Sequence, residues 1–143
     1  APVPVEGGLL LDRLYVLETH LDDISAEVAA HCVAALLRAG ALDAWTAPRA
    51  MKKGRGAALA LGAMCLPADR ARVLRTFFTE TTTLGVRCAA TDRYALPRKF
   101  VAVQTEYGPI TVKVGLIGGQ PCNVKPEYGE CEALAVARGV PVK

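Results

Sequence analysis

Apolar positions along the chain alternate between two periods, and the switches between them outline a small mixed fold. Residues 9–19 form an apolar run rich in Leu and Val with no helical stripe, which predicts a strand buried on both faces. Ile24, Val28, Cys32, Ala35, Leu36 and Ala39 then recur at helical spacing. Asp22 and Asp23 are the N-cap candidates of that helix, Glu27 falls in its first turn, and Gly40 is placed as the residue that ends it. Residues 41–48 and 57–66 predict two further strands. Pro67 and Asp69 open a second helix with Val73, Leu74, Phe77 and Phe78 on its apolar face, and the β-branched threonine run ends it. Residues 86–91 predict a fourth strand.

The order βαββαβ is the ferredoxin-like split pattern, an α+β sandwich with two helices on one face of a four-stranded antiparallel sheet. The opposite face has no helix of its own. It is expected to be buried by an added C-terminal hairpin, by another subunit, or by both. Residues 99–105 and 110–117 predict an added C-terminal hairpin turning at Tyr107-Gly108-Pro109. Residues 118–121 predict a loop, and Pro126 the first residue of a short last helix ending at Gly139 and Pro141. The expected organisation is a Pro/Gly linker at 1–8 from a missing N-terminal domain, a ferredoxin-like domain at 9–94, and a hairpin-plus-helix extension at 95–143.

Composition narrows the function classes. The chain has 143 residues, 52% of them hydrophobic, enough for one buried core. Seventeen Lys and Arg against fourteen Asp and Glu give a net charge of +3, and aromatics are 6%. That balance argues against coating nucleic acid. No run approaches the ~18 apolar residues of a membrane span. The five cysteines form no C-x-x-C pair, and their odd count points to a reducing cytoplasm. Cys32, Cys65 and Cys88 sit among apolar residues and are expected to act as small buried hydrophobes. Cys122 and Cys131 are looser candidates for soft-metal ligands.

Against this apolar background three polar blocks stand out. Met51-Lys52-Lys53-Gly54-Arg55-Gly56 offers three cations around two glycines, extended by Arg49. The run from Thr79 through Thr81, Thr82, Thr83 and Gly85 to Arg87 offers hydroxyls, a glycine and an arginine. Cations, hydroxyls and glycine-freed N–H groups are what a polyphosphate requires. The plain alternatives are a solvated basic loop and a threonine helix cap. The first block is not a Walker A loop, since G-x-x-x-x-G-K-[ST] is absent. Glu18-Thr19-His20-Leu21-Asp22-Asp23 is the third block. Its carboxylates at 18, 22 and 23 suit Mg²⁺ or Mn²⁺, which keep waters and add substrate phosphates. Its plain alternative is a helix cap beside a surface histidine. His31 is expected to pair with Glu27 one turn away. Lys113 and Lys125 add positive charge at positions the pattern leaves open.

E-T-H-L-D-D, M-K-K-G-R-G and E-T-T-T-L-G-V-R, followed by K-P-E-Y-G-E-C-E-A-L-A, together resemble the C-terminal part of the nickel-pincer cofactor nickel insertase family. The likeness runs from about residue 13 to 141. Position 20 is His where the family pattern has Asn. The resemblance implies a CTP-dependent cyclometallase, a nickel-inserting lyase. Such an enzyme places Ni²⁺, as substrate, in pyridinium-3,5-bisthiocarboxylic acid mononucleotide and releases CMP and pyrophosphate. It further implies a CTP site with Mg²⁺ or Mn²⁺, assembly into a homo-oligomer, and a partner in the missing N-terminal domain. Carried onto this chain, Lys52, Lys53, Arg55, Thr81, Thr82, Thr83 and Arg87 face the nucleotide, while Glu18, Asp22 and Asp23 hold the metal. No catalytic residue is assigned, and the fragment alone is not expected to be active. The competing reading is a ferredoxin-like oligomerisation or small-molecule regulatory module without catalysis.

Overall fold

The computed structural model describes residues 2–54 and 58–143. Its elements are β1 (Val3–Val5), a single 3₁₀ turn (Glu6–Gly8), β2 (Leu9–Leu21), α1 (Ala26–Arg38), β3 (Ala41–Arg49), β4 (Ala58–Cys65), α2 (Arg70–Glu80), β5 (Arg87–Ala95), β6 (Arg98–Thr105), β7 (Gly108–Ile117), β8 (Gln120–Pro126) and α3 (Tyr128–Arg138). The chain divides into two compact units, Arg13–Arg93 on one side and Ala1–Asp12 with Tyr94–Lys143 on the other. No helix among the described residues is long and apolar enough to cross a membrane.

In the Arg13–Arg93 unit the strand order is β5-β2-β4-β3, with β4 antiparallel to both neighbours. This is the ferredoxin-like arrangement that the βαββαβ order predicts. Strand alternation then sorts the side chains. Leu17 and Leu21 of β2 and Leu61, Ala63 and Cys65 of β4 pack with Cys32 and Leu36 of α1 and Val73 and Phe77 of α2 to form the core. The intervening positions, Glu18, His20, Gly62 and Trp45, face the other way. Register places Glu18 opposite Gly62 and Gly62 opposite Trp45, so the three lie in one row across the helix-free face.

Gly40 ends α1 as expected, at φ +95°, and has a second reason to be glycine: a Cβ there would meet Arg72 Nη2 at 2.5 Å. Arg72 donates to Ala39 O at 2.6 Å and to Asp69 Oδ1 at 2.7 Å, joining the end of α1 to the start of α2.

Several expectations are corrected. Ser25, not Asp22 or Asp23, caps α1, its hydroxyl accepting from the Val28 amide at 3.2 Å. Phe78 is 47% exposed, because α2 buries only Val73 and Phe77 deeply. His31 pairs with Glu80 of α2 at 3.1 Å instead of with Glu27. Cys88 is exposed on β5, whereas Cys32 and Cys65 are buried, and burial pushes both of their thiols up.

The second unit holds the three-stranded antiparallel sheet β6-β7-β8 and α3. The loop expected at 118–121 is shorter: Gly118 and Gly119, both at positive φ, make the turn, and Gln120 starts a third strand. Pro126 ends that strand, and α3 begins after Glu127. Val3–Val5 lies within the segment expected to be a linker and pairs antiparallel with residues 9–11.

Candidate functional site

The three polar blocks converge at one end of the sheet in the Arg13–Arg93 unit. Leu21 and Pro48 both pair with Leu59, and Arg49 pairs with Ala58. Asp22 and Asp23 therefore leave the sheet at the same end as the basic loop that follows Arg49. The threonine run reaches that end through side chains. Thr82 Oγ1 donates to Asp23 Oδ1 at 2.7 Å. Thr19, 2% exposed, meets Thr83 hydroxyl to hydroxyl at 2.6 Å, and both hydroxyls lie within reach of Gly85 O.

The threonines are held tightly. Thr81 Oγ1 donates to Phe77 O at 2.7 Å and accepts from the Thr83 amide at 3.2 Å. Thr83 Oγ1 accepts from the Gly85 amide at 3.3 Å. The hydroxyls of Thr81 and Thr83 thus shape the turn after α2, while Thr82 is exposed and linked to the acidic turn. The helix-cap alternative describes Thr81 well.

Lys52 and Lys53 are exposed in the turn after β3. Lys53 sits at φ +63°, followed by Gly54 at φ +69°. A lysine in the left-handed region costs roughly 1–2 kcal/mol relative to its ordinary conformation. Such outliers cluster at ligand sites. Arg55 and Gly56, which complete the basic block, lie outside the described residues.

Glu18 stands on the helix-free face away from Asp23. Its Oε1 accepts from Arg87 Nη2 at 3.1 Å and lies 3.1 Å from His20 Nε2. Burial pushes the carboxyl pKa up, but the hydrogen bonds from Arg87 and His20 and their charges outweigh it and hold the group below its ordinary range. Among the described residues no three His, Cys, Asp or Glu side chains gather in metal-ligand geometry. A pair of carboxylates at the sheet end is a donor set for Mg²⁺ or Mn²⁺ that retains waters and takes phosphate oxygens, not for a closed protein cage.

Two residues of this region escaped the sequence reading. A Cβ on Gly62 would lie 2.3 Å from Trp45 Cε2 and 2.5 Å from Nε1, so the indole rests directly on the Gly62 backbone. The signal was present: one tryptophan in an aromatic-poor chain, and one glycine inside an apolar strand, a mark of close approach. In the other unit a cavity of about 210 Å³, lined by Tyr107, Ile110, Cys131 and Leu134 among others, takes in Cys131 but none of the residues singled out for anion binding. Cys122 Sγ donates to Gly115 O at 3.4 Å.

The profile of the nickel insertion protein family matches residues 5–143. A putative nickel insertion protein of Myxococcus xanthus is 42% identical over 132 residues, covering 92% of this chain and 34% of its own length. The pyridinium-3,5-bisthiocarboxylic acid mononucleotide nickel insertion protein of Clostridium acetobutylicum is 36% identical, covering 92% of this chain and 31% of its own. This chain thus spans about a third of the curated relatives it matches. Among solved structures, LarC2, the C-terminal domain of a cyclometallase involved in the synthesis of the NPN cofactor of lactate racemase, superposes in its apo form with a TM-score of 0.86 at 32% identity, over 92% of this chain and 90% of that one.

Proposed function

The chain belongs to the nickel insertion protein family, and on that premise we propose that it is the CTP-binding part of a CTP-dependent nickel insertase. The whole enzyme inserts Ni²⁺, as substrate, into pyridinium-3,5-bisthiocarboxylic acid mononucleotide, consuming CTP and releasing CMP and pyrophosphate. The observation that carries this reading is the convergence at one sheet end of the acidic turn, the Lys52–Lys53 turn and the Thr82 loop.

Each block has a role there. Lys52, Lys53 and Arg55 contact the triphosphate, as cations suited to its charge. Thr81, Thr82 and Thr83 shape the loop facing it, and Thr82 supplies the exposed hydroxyl. Asp22 and Asp23 hold Mg²⁺ or Mn²⁺ together with phosphate oxygens, and when bound the ion offsets phosphate charge. Glu18 is engaged through Oε1 by Arg87 and His20 on the helix-free face, so the metal role falls to the aspartates. The remaining two-thirds of the full-length enzyme supplies the pyridinium substrate and nickel, and the assembly is a cytoplasmic homo-oligomer.

Calorimetric titration with CTP, ATP, GTP and UTP, with and without Mn²⁺, tests this. Metal-dependent binding that favours CTP and is lost in Lys53→Ala is the expected result. Equal binding of all four, or none, overturns it.

A further inference from the structure

The helix-free face beyond the phosphate end carries a group of side chains that metal and phosphate binding do not use. Glu18, Gly62 and Trp45 lie in one register row, and Arg87 bonds Glu18 from the β5 side. Trp45 is half-buried, with the indole resting on Gly62. Gly62 is the sole glycine of β4, and its lack of a Cβ lets the indole rest on the strand.

We propose that this row is the base-reading end of the nucleotide site: Trp45 stacks the cytosine ring while Glu18 and Arg87 read its hydrogen-bonding edge. The inference rests on the CTP reading above and adds to it the side chains that select the base.

Cytosine presents, side by side, an exocyclic amine that donates and a ring nitrogen and carbonyl that accept. A carboxylate next to a guanidinium is the complement of that edge: the carboxylate accepts from the amine, and the guanidinium donates to the ring nitrogen and carbonyl. Uracil carries a carbonyl in place of the amine and an N–H in place of the bare nitrogen. Its carbonyl would face Glu18 and its N–H would face Arg87, both mismatched. Among the described residues the hydrogen bonds to Glu18 fall on Oε1. Oε2 is then the atom that accepts from the amine, with Arg87 and His20 fixing the carboxylate.

The spacing fits as well. Trp45 lies four residues before Arg49 on β3. At about 3.3 Å per residue, that is roughly 13 Å along the strand from indole to the start of the basic loop. A sugar and a triphosphate fill such a span. Between the two ends, on the same face, the row His20–Ala60–Ala47 carries alanine at two of its three positions.

Trp45 is the sole tryptophan, so its fluorescence reports on this row alone. The test is titration of the protein with CTP·Mn²⁺, UTP·Mn²⁺ and inorganic triphosphate·Mn²⁺, by fluorescence and calorimetry in parallel, repeated in Glu18→Gln. The expected result is that CTP changes Trp45 emission while inorganic triphosphate binds without doing so. Glu18→Gln, whose amide can offer an N–H to uracil, should weaken CTP on the order of tenfold and erase the preference over UTP. CTP binding with unchanged Trp45 emission and an unchanged CTP-to-UTP ratio in Glu18→Gln overturns this inference and leaves the CTP reading standing. Calorimetric silence with CTP overturns both. A Trp45→Phe variant that keeps CTP affinity while Trp45→Leu loses about tenfold for every base supports stacking. Equal loss in both variants contradicts it.

Discussion

The Thr82 hydroxyl donates to Asp23 Oδ1 at 2.7 Å, although 59 residues separate them. The bond joins the turn after α2 to the turn after β2 and draws Asp23 away from the helix end, where Ser25 takes the capping role. Thr82→Val removes the donor at similar volume. It should cost about 1 kcal/mol in urea denaturation and should weaken metal-dependent CTP binding, because Asp23 loses its fixed orientation.

Lys53 carries opposite consequences for stability and binding. Its φ of +63° is relaxed in glycine. Lys53→Gly should therefore raise stability by about 1 kcal/mol while reducing CTP affinity. Thermal denaturation and calorimetry on the same samples check both signs, and a variant that gains stability and keeps full affinity would remove Lys53 from the phosphate contacts.

Ser25→Ala separates folding from binding. Loss of the cap to the Val28 amide should cost about 1 kcal/mol. The Ser25 hydroxyl serves the first turn of α1, so CTP affinity measured well below the melting temperature should not change.

Glu18 sets a pH dependence. Its carboxyl is held below the ordinary value of 4.5 in the folded chain, so the folded state binds this proton less readily than the unfolded one. The stabilisation is present above pH 4.5 and disappears as pH falls through the lower folded value. Glu18→Gln should flatten the acid limb of a stability-versus-pH curve below pH 4.5 and leave its shape near neutrality unchanged.

Gly62→Ala should be poorly tolerated. The new Cβ would sit 2.3 Å from the Trp45 ring, and the ring cannot stay. A loss of about 1–3 kcal/mol, typical of overpacking, is expected together with a shift in Trp45 emission.

Much of the fold was legible because period and punctuation agreed. The stripe through Cys32 and Leu36 and the pair Val73 and Phe77 faced one core with Leu17, while the strand read at 9–19 as buried on both faces is only half-buried at Glu18 and His20. What stayed hidden depended on contacts distant in sequence. Asp22 and Asp23 look like caps beside a helix start, and only the Thr82 partner 59 residues on shows what Asp23 bonds instead. Strand β8 was hidden by the glycine turn before it and by Pro121, which an exposed strand tolerates, and all seven of its residues are exposed. In the site, the sequence offered the three blocks but not their meeting, which register decides. It offered Glu18 as a metal ligand, whereas Arg87 and His20 occupy its Oε1. Trp45 lay unremarked in a predicted strand, and its contact with Gly62 is what places it.

The convergence of the three blocks on one nucleotide is tested most directly by amide NMR spectra of the protein with CTP and substoichiometric Mn²⁺, whose unpaired electrons broaden nearby signals. Selective broadening at Asp22 and Asp23, with shifts at Lys52, Lys53, Thr82 and Arg87, is the predicted result. Changes confined to the β6-β7-β8 sheet and α3, with those residues untouched, would contradict it.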